Sequence, residues 1–307
     1  MEMRWRFILV YLLLVVSYVV ATFTAPVKGN TFSLNRFTLG LVQLSFVLPI
    51  ILIWLAGLYG SSNLKQYVLT LKKAGEQAAL RTVANGIIVL VSGLIVGSLL
   101  GSVRSYALGT DGYEAYRITY NYVTVLIPLV GMYLVYRGSR RLAEAVGVGP
   151  VDKKRQVIAG LILAAACVCV LTALFGNPYR SSTPDPIRFN SYYLTDPLIV
   201  GTVLLPQFLS WFFGIYAGLN IARYSAHLRH QEQSSGFRRI AFGIHCIVLV
   251  SYLIVMLTML TAVVGKLSLA PILLLVYILL LFYGLGYVLI ARGAKRLVRH
   301  NAPKRFV

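Results

Sequence analysis

Eight apolar stretches without a single Asp, Glu, Lys or Arg occupy residues 7–23, 39–60, 83–101, 122–136, 157–176, 197–220, 240–264 and 267–290. Each comes close to the roughly 20 residues a helix needs to cross a hydrocarbon core about 30 Å thick. Charged residues make up about 25% of an ordinary soluble chain but only 12% of this one, so a water-soluble enzyme is excluded. In lipid the backbone has no water to bond to, so only helices and closed barrels can span. Period-two alternation broken by turns every ten or so residues is absent, which excludes a transmembrane barrel. The expected fold is therefore all-α integral membrane, with eight transmembrane helices.

The first stretch, with Arg4 and Arg6 ahead of it and Ala21 to Ala25 behind it, also has the outline of a signal peptide. The internal repeat described next favours its retention. With eight spans, both termini fall on one side. Seven of the 29 basic residues lie on the opposite side, namely Lys28, Arg36, Arg104, Arg117, Arg180, Arg188 and Lys266, and 22 on the side of the termini. The positive-inside rule then predicts cytoplasmic N- and C-termini. Orientation alone accounts for the net charge of +20, and no nucleic-acid partner is needed to explain it. Cys167, Cys169 and Cys246 all fall inside spans. None has metal-ligand spacing or sits in an outer loop, so they read as packing residues.

A repeat organises the chain. A shift of 157 positions superposes Pro49 on Pro206, Trp54 on Trp211, Gly57 on Gly214, Tyr59 on Tyr216, Tyr67 on Tyr224, Arg81 on Arg238 and Gly86 on Gly243. A shift of 155 then aligns Gly131 with Gly286 and Arg137-Gly-Ser-Arg-Arg-Leu142 with Arg292-Gly-Ala-Lys-Arg-Leu297. Self-similarity at one period is the mark of duplication. Residues 1–150 and 151–307 are thus expected to form two four-helix repeats. Four is an even number, so both halves insert the same way up, as parallel repeats. Pro49 and Pro206 fall within spans, where a missing N–H and a ring clash bend a helix. The run from Asn63 is expected to extend its helix beyond the bilayer and break near Gly75. Gly93, Gly97 and Gly101 form a small-residue stripe suited to close helix packing.

Chemistry within a membrane normally rests on ionisable groups at depth, and these spans carry almost none. His245 is the one titratable residue inside a span besides cysteine and tyrosine, seven residues after Arg238 and on the same face as Tyr252. It reads either as a proton relay or ligand contact, or as a neutral histidine bonded between helices, and the second reading is preferred. Haem wants histidines on facing spans, and His227, His230 and His300 lie in basic segments instead. No Walker loop, H-E-x-x-H or G-x-S-x-G is present. No enzymatic activity, cofactor or metal is expected. Gln207 directly follows Pro206, where a freed carbonyl can be satisfied by a side-chain amide. It is the leading candidate for a transport site, with Gln43, Pro49, Pro206, Ser210, His245 and Tyr252 as further substrate or helix-packing candidates.

The outer face offers residues 102–121, with Asp111, Tyr113, Glu114, Tyr116 and Arg117, and residues 176–196, with Asp185, Arg188 and Asp196. Tyrosines there can serve a protein partner or form the ordinary aromatic belt of a membrane protein. On the inner face, Lys153-Lys-Arg155 and the run from Arg292 to Arg305 can meet anionic lipid head groups, although topology alone also explains them. The stretch from Tyr193-Leu-Thr-Asp-Pro through Pro206, Trp211 and Gly214 to Ala291-Arg-Gly-Ala-Lys-Arg-Leu297 resembles uncharacterised multi-pass membrane proteins of small-genome bacteria. That resemblance implies a bacterial cytoplasmic membrane and carries no activity. Two functions are compatible with these features, and the first is preferred. One is a transporter or channel for a small solute, motivated by parallel repeats with paired prolines. The other is a non-transporting scaffold, assembly factor or sensor that works through its outer loops and basic inner face.

Overall fold

A computed structural model describes residues 36–107, 113–147, 197–264 and 269–301, together with the single residues 16 and 160. These form six helices and, among the described residues, no strand. They are α1 (Arg36–Val68), α2 (Ala74–Ala107), α3 (Tyr113–Glu144), α4 (Pro197–Ala226), α5 (Gln231–Val264) and α6 (Leu269–Asn301). Five of the six, all but α4, contain a described stretch long and apolar enough to cross a membrane. The chain is a multi-pass membrane protein. The first and fifth apolar stretches of the sequence, 7–23 and 157–176, lie outside the described residues.

The helices outrun the apolar stretches that seed them. Each has 30 to 34 residues, which at about 1.5 Å per residue is close to 50 Å. The excess carries most of the described basic residues, and so much of the described basic end is helical. The break expected near Gly75 comes slightly earlier, as a turn after Val68, with α2 under way at Ala74. Local bonds explain the difference. Thr70 Oγ1 donates to the Tyr67 carbonyl at 2.7 Å and Gln77 Nε2 donates to the Leu71 carbonyl at 2.6 Å. The first bond occupies a carbonyl in the last turn of α1, and the second ties the turn to the start of α2. Residues 102–121, expected as a loop, are likewise mostly helix, because α2 runs to Ala107 and α3 begins at Tyr113.

Among the described residues, each helix packs against the helix before it and the helix after it, and α6 packs against α1. The result is a closed ring of six. Contact directions follow from the glycines. Gly57 and Gly60 of α1 meet Tyr287 and Ala291 of α6 in ascending order, so these helices run parallel. Gly86 meets Gly131 and Val135, and Gly138 meets Ala79 and Val83, which makes α2 and α3 antiparallel. Gly243 meets Gly286 and Ile290 while Gly293 meets Gly236 and Ile240, the same pattern between α5 and α6. At both interfaces the backbones approach so closely that a Cβ on Gly86 or Gly243 would strike a facing carbonyl oxygen. In lipid, helices gain little by hiding apolar surface from one another, so close packing of small residues carries their association. The stripe of Gly93, Gly97 and Gly101 serves this purpose too, facing Ile127, Thr124 and Tyr120 of α3.

One apolar core unites the ring, with buried residues from all six helices. Trp54 and Trp211 are buried in α1 and α4. At the basic end, Phe237 of α5 lies edge-on to Tyr67 of α1 at 6.0 Å and to Tyr224 of α4 at 4.9 Å. These three rings reach across the ring where backbones do not.

Candidate functional site

Two of the polar residues inside the spans, Gln207 and Ser251, meet each other. Gln207 Nε2 on α4 donates to Ser251 Oγ on α5 at 2.9 Å, and Trp211 Nε1 donates to the same oxygen at 3.1 Å. Gln207 and Trp211 are four apart, one helical turn, and so present one face to α5. Tyr252 stands edge-on to the Trp211 indole at 5.3 Å, and Phe208 packs on the indole at 5.3 Å. One serine hydroxyl thus takes up two donors that would otherwise be stranded in hydrocarbon, where each costs several kcal/mol. Ser210, one residue before Trp211, is buried.

His245 lies two turns away on α5. Its Nε2 is 3.2 Å from the Ile215 carbonyl of α4, and its ring fills the space beside Gly218. This is the arrangement of a histidine bonded between helices. Pro49 and Pro206 both stand inside helices, α1 and α4 respectively. Gln43 lies on α1, but its side chain is outside the described residues. Gln207, Trp211, Ser251 and Tyr252 therefore converge on one α4–α5 seam, with His245 further along it.

Of the outer-face candidates, Tyr113, Glu114, Tyr116 and Arg117 begin α3. Tyr116 donates to the Leu100 carbonyl of α2 at 2.5 Å and stacks on Tyr120 at 6.1 Å. That tyrosine therefore binds two helices of the bundle to each other. Asp111, Asp185, Arg188 and Asp196 lie outside the described residues.

At the basic end, α5 begins beside the close of α6, and a cleft of about 580 Å³ opens between them. It is lined by Glu232, Arg239, Arg292, Lys295, Arg296, Arg299 and His300. Residues 292, 295, 296 and 299 recur at helical spacing and so share one face of α6. Arg296 grips both carboxylate oxygens of Glu232 and donates to Ser235 Oγ at 3.1 Å. That hydrogen-bonded guanidinium holds the Glu232 carboxyl below its ordinary range. His300 packs against His230 at 5.2 Å. Five Lys and Arg side chains thus face one carboxylate, a net of four positive charges among them. The Arg296–Glu232 pair forms a fixed base, and Arg239, Arg292, Lys295 and Arg299 stand exposed around it. Guanidinium groups so placed suit phosphate oxygens, which they bind in pairs.

The basic run starting at Arg292 was visible in the sequence. Arg239, Glu232 and Ser235 were not, because no local pattern announces that the start of α5 abuts the end of α6. Among the described residues no group of three or more His, Cys, Asp or Glu could hold a metal ion. No protein-family model, curated protein or solved structure matches the chain.

Proposed function

We propose that the protein is a non-transporting membrane scaffold or sensor that docks a polyanionic ligand at the basic cleft between α5 and α6. The observation that carries this reading is the cleft itself, with four exposed cations around a base already neutralised by Glu232. The state of the intramembrane polar groups supports it. Gln207 and Trp211 spend their donors on Ser251, and His245 is engaged with a backbone carbonyl. A seam whose polar groups serve each other suits helix packing better than solute binding.

The finer architecture belongs to the same proposal. Eight spans in two parallel four-helix repeats, with the basic end cytoplasmic, follow from the sequence matches and the charge asymmetry. In line with the repeat, the α1–α2, α2–α3 and α3–α4 contacts have counterparts in α4–α5, α5–α6 and α6–α1. The glycine contacts also correspond, since Gly86 meets Gly131 as Gly243 meets Gly286. A bacterial cytoplasmic membrane is the proposed location.

Transport of a small solute is the second reading. It is favoured by that same arrangement, two like triplets in a closed ring with Pro49 and Pro206 inside their first helices. One experiment separates the two. Single cysteines at Gln43, Gln207, Ser210 and His245, in a chain lacking its three native cysteines, are probed in oriented vesicles with a membrane-impermeant thiol reagent. The docking reading expects no labelling at these positions while exposed controls at Lys65 and Arg299 react. Labelling at Gln207 and Ser210 would reveal a wet path to mid-membrane and make transport the better reading.

A further inference from the structure

We infer that the occupant of the α5–α6 cleft is the head group of a phospholipid bearing two phosphates, its acyl chains lying along the apolar faces of the same two helices. This rests on the docking reading and adds the identity of the ligand.

Three observations carry it. The first is charge. Four net positive charges in one cleft exceed what a zwitterionic head group could balance, and a singly charged one would leave most of them unmet. The second is continuity. On α5 the exposed face runs from Arg239 to Phe242, half-buried Cys246 and Leu249, spaced by three or four residues. On α6 the corresponding face runs from Leu281 through Leu285 to Arg292, Lys295 and Arg299. Phe242, Leu249, Leu281 and Leu285 are all exposed. Arg239 is three residues from Phe242 and Arg292 seven from Leu285, about 4.5 and 10 Å along a helix. A lipid has the same layout, with phosphates at the interface and hydrocarbon directly below. One such molecule can therefore meet the cations with its head group and these faces with its chains, whereas a soluble anion meets the cations alone.

The third observation is an internal contrast. The repeat shifts place Arg137, Arg140 and Arg141 opposite Arg292, Lys295 and Arg296, but Thr82 opposite Arg239 and Glu144 opposite Arg299. Thr82 bonds to its own helix at the Ala78 carbonyl, and Glu144 takes up Arg140 at 2.8 Å. The first half thus keeps the basic run but carries a threonine and an acid at two of the positions that line the cleft. If topology alone had placed these cations, the two halves would need no such difference.

The test uses the full chain purified in neutral detergent and exchanged into nanodiscs of phosphatidylcholine. These are prepared alone, with phosphatidylglycerol (one charge), or with diphosphatidylglycerol (two phosphates), and retained lipid is counted by native mass spectrometry. Free inorganic pyrophosphate is titrated in a parallel arm. Variants are Arg239→Gln with Arg292→Gln, Lys295→Gln with Arg299→Gln, and Arg137→Gln with Arg141→Gln as the first-half control. The wild type is expected to retain diphosphatidylglycerol over phosphatidylglycerol. Each cation removed from the cleft should cost about fivefold, so roughly 25-fold for either double variant, with the first-half control unchanged. The Lys295 and Arg299 pair is exposed, so its loss of lipid is readable even if the other double variant folds poorly. Equal retention by all variants would mean general annular lipid and overturn the inference. Pyrophosphate binding that the cleft variants lose, without lipid selection, would overturn the lipid and keep the docking reading. Failure of both arms would overturn both.

Discussion

Ser251 is a single hydroxyl on which two helices depend. Its oxygen accepts from Gln207 and Trp211, and removing it takes the partner of both donors away. Ser251→Ala is therefore expected to destabilise the bundle by about 1–3 kcal/mol, read as a lower unfolding midpoint in mixed micelles. A Gln207→Leu change in the same background should recover part of that loss, because one stranded donor disappears with the amide. Additive losses from the two changes would mean that Gln207 and Ser251 are not coupled. The sequence marked Gln207 as a candidate, yet could not pair it with Ser251, which stands 44 positions away. His245 was legible as a choice between relay and packing. Its contact with the Ile215 carbonyl supplied the partner that the sequence could not name.

At the scale of the helix pair, contact distance is set by glycine. Gly243 faces the Gly286 carbonyl so closely that an added Cβ must push α5 and α6 apart. Gly243→Ala should cost about 1–3 kcal/mol as overpacking, measured by denaturant unfolding in micelles. Gly75 is the control. It opens into empty space in the first turn of α2, so Gly75→Ala should be neutral or gain up to about 1 kcal/mol. Equal effects at the two sites would remove the argument from close approach. The sequence showed a small-residue stripe at Gly93, Gly97 and Gly101. It showed no reason to rank Gly243 alongside them, since isolated glycines are common in spanning helices. What distinguishes Gly243 is the carbonyl oxygen of another helix.

For the molecule as a whole, the decisive contact is the one that closes the ring. α1 and α6 are far apart in sequence, yet Gly60 sits against the Ala291 backbone. With the native cysteines removed, Gly60→Cys combined with Ala291→Cys should cross-link under mild oxidation. Leu52→Cys with Leu209→Cys, on exposed faces of α1 and α4, should not. A ring open between α1 and α6 would leave the first pair uncross-linked. Tyr67, Tyr224 and Phe237, from α1, α4 and α5, also come together at the basic end.

The sequence by itself determined that this chain lives in a membrane as helices. Apolar stretches of about 20 residues have no other stable state, because lipid offers their backbone no partner outside the segment. It also determined where the positive charge accumulates, and it carries the repeated residues from which a duplication is read. Only the tertiary structure decided which faces meet. In water an apolar stripe points a helix toward its core, but in lipid every face is apolar and the pattern loses its direction. The choice passes to shape, through glycines that admit a neighbouring backbone, and to the few polar groups that must find one another. That is why Arg239 and Glu232 could not be joined to the basic run of α6 until the helices were set side by side.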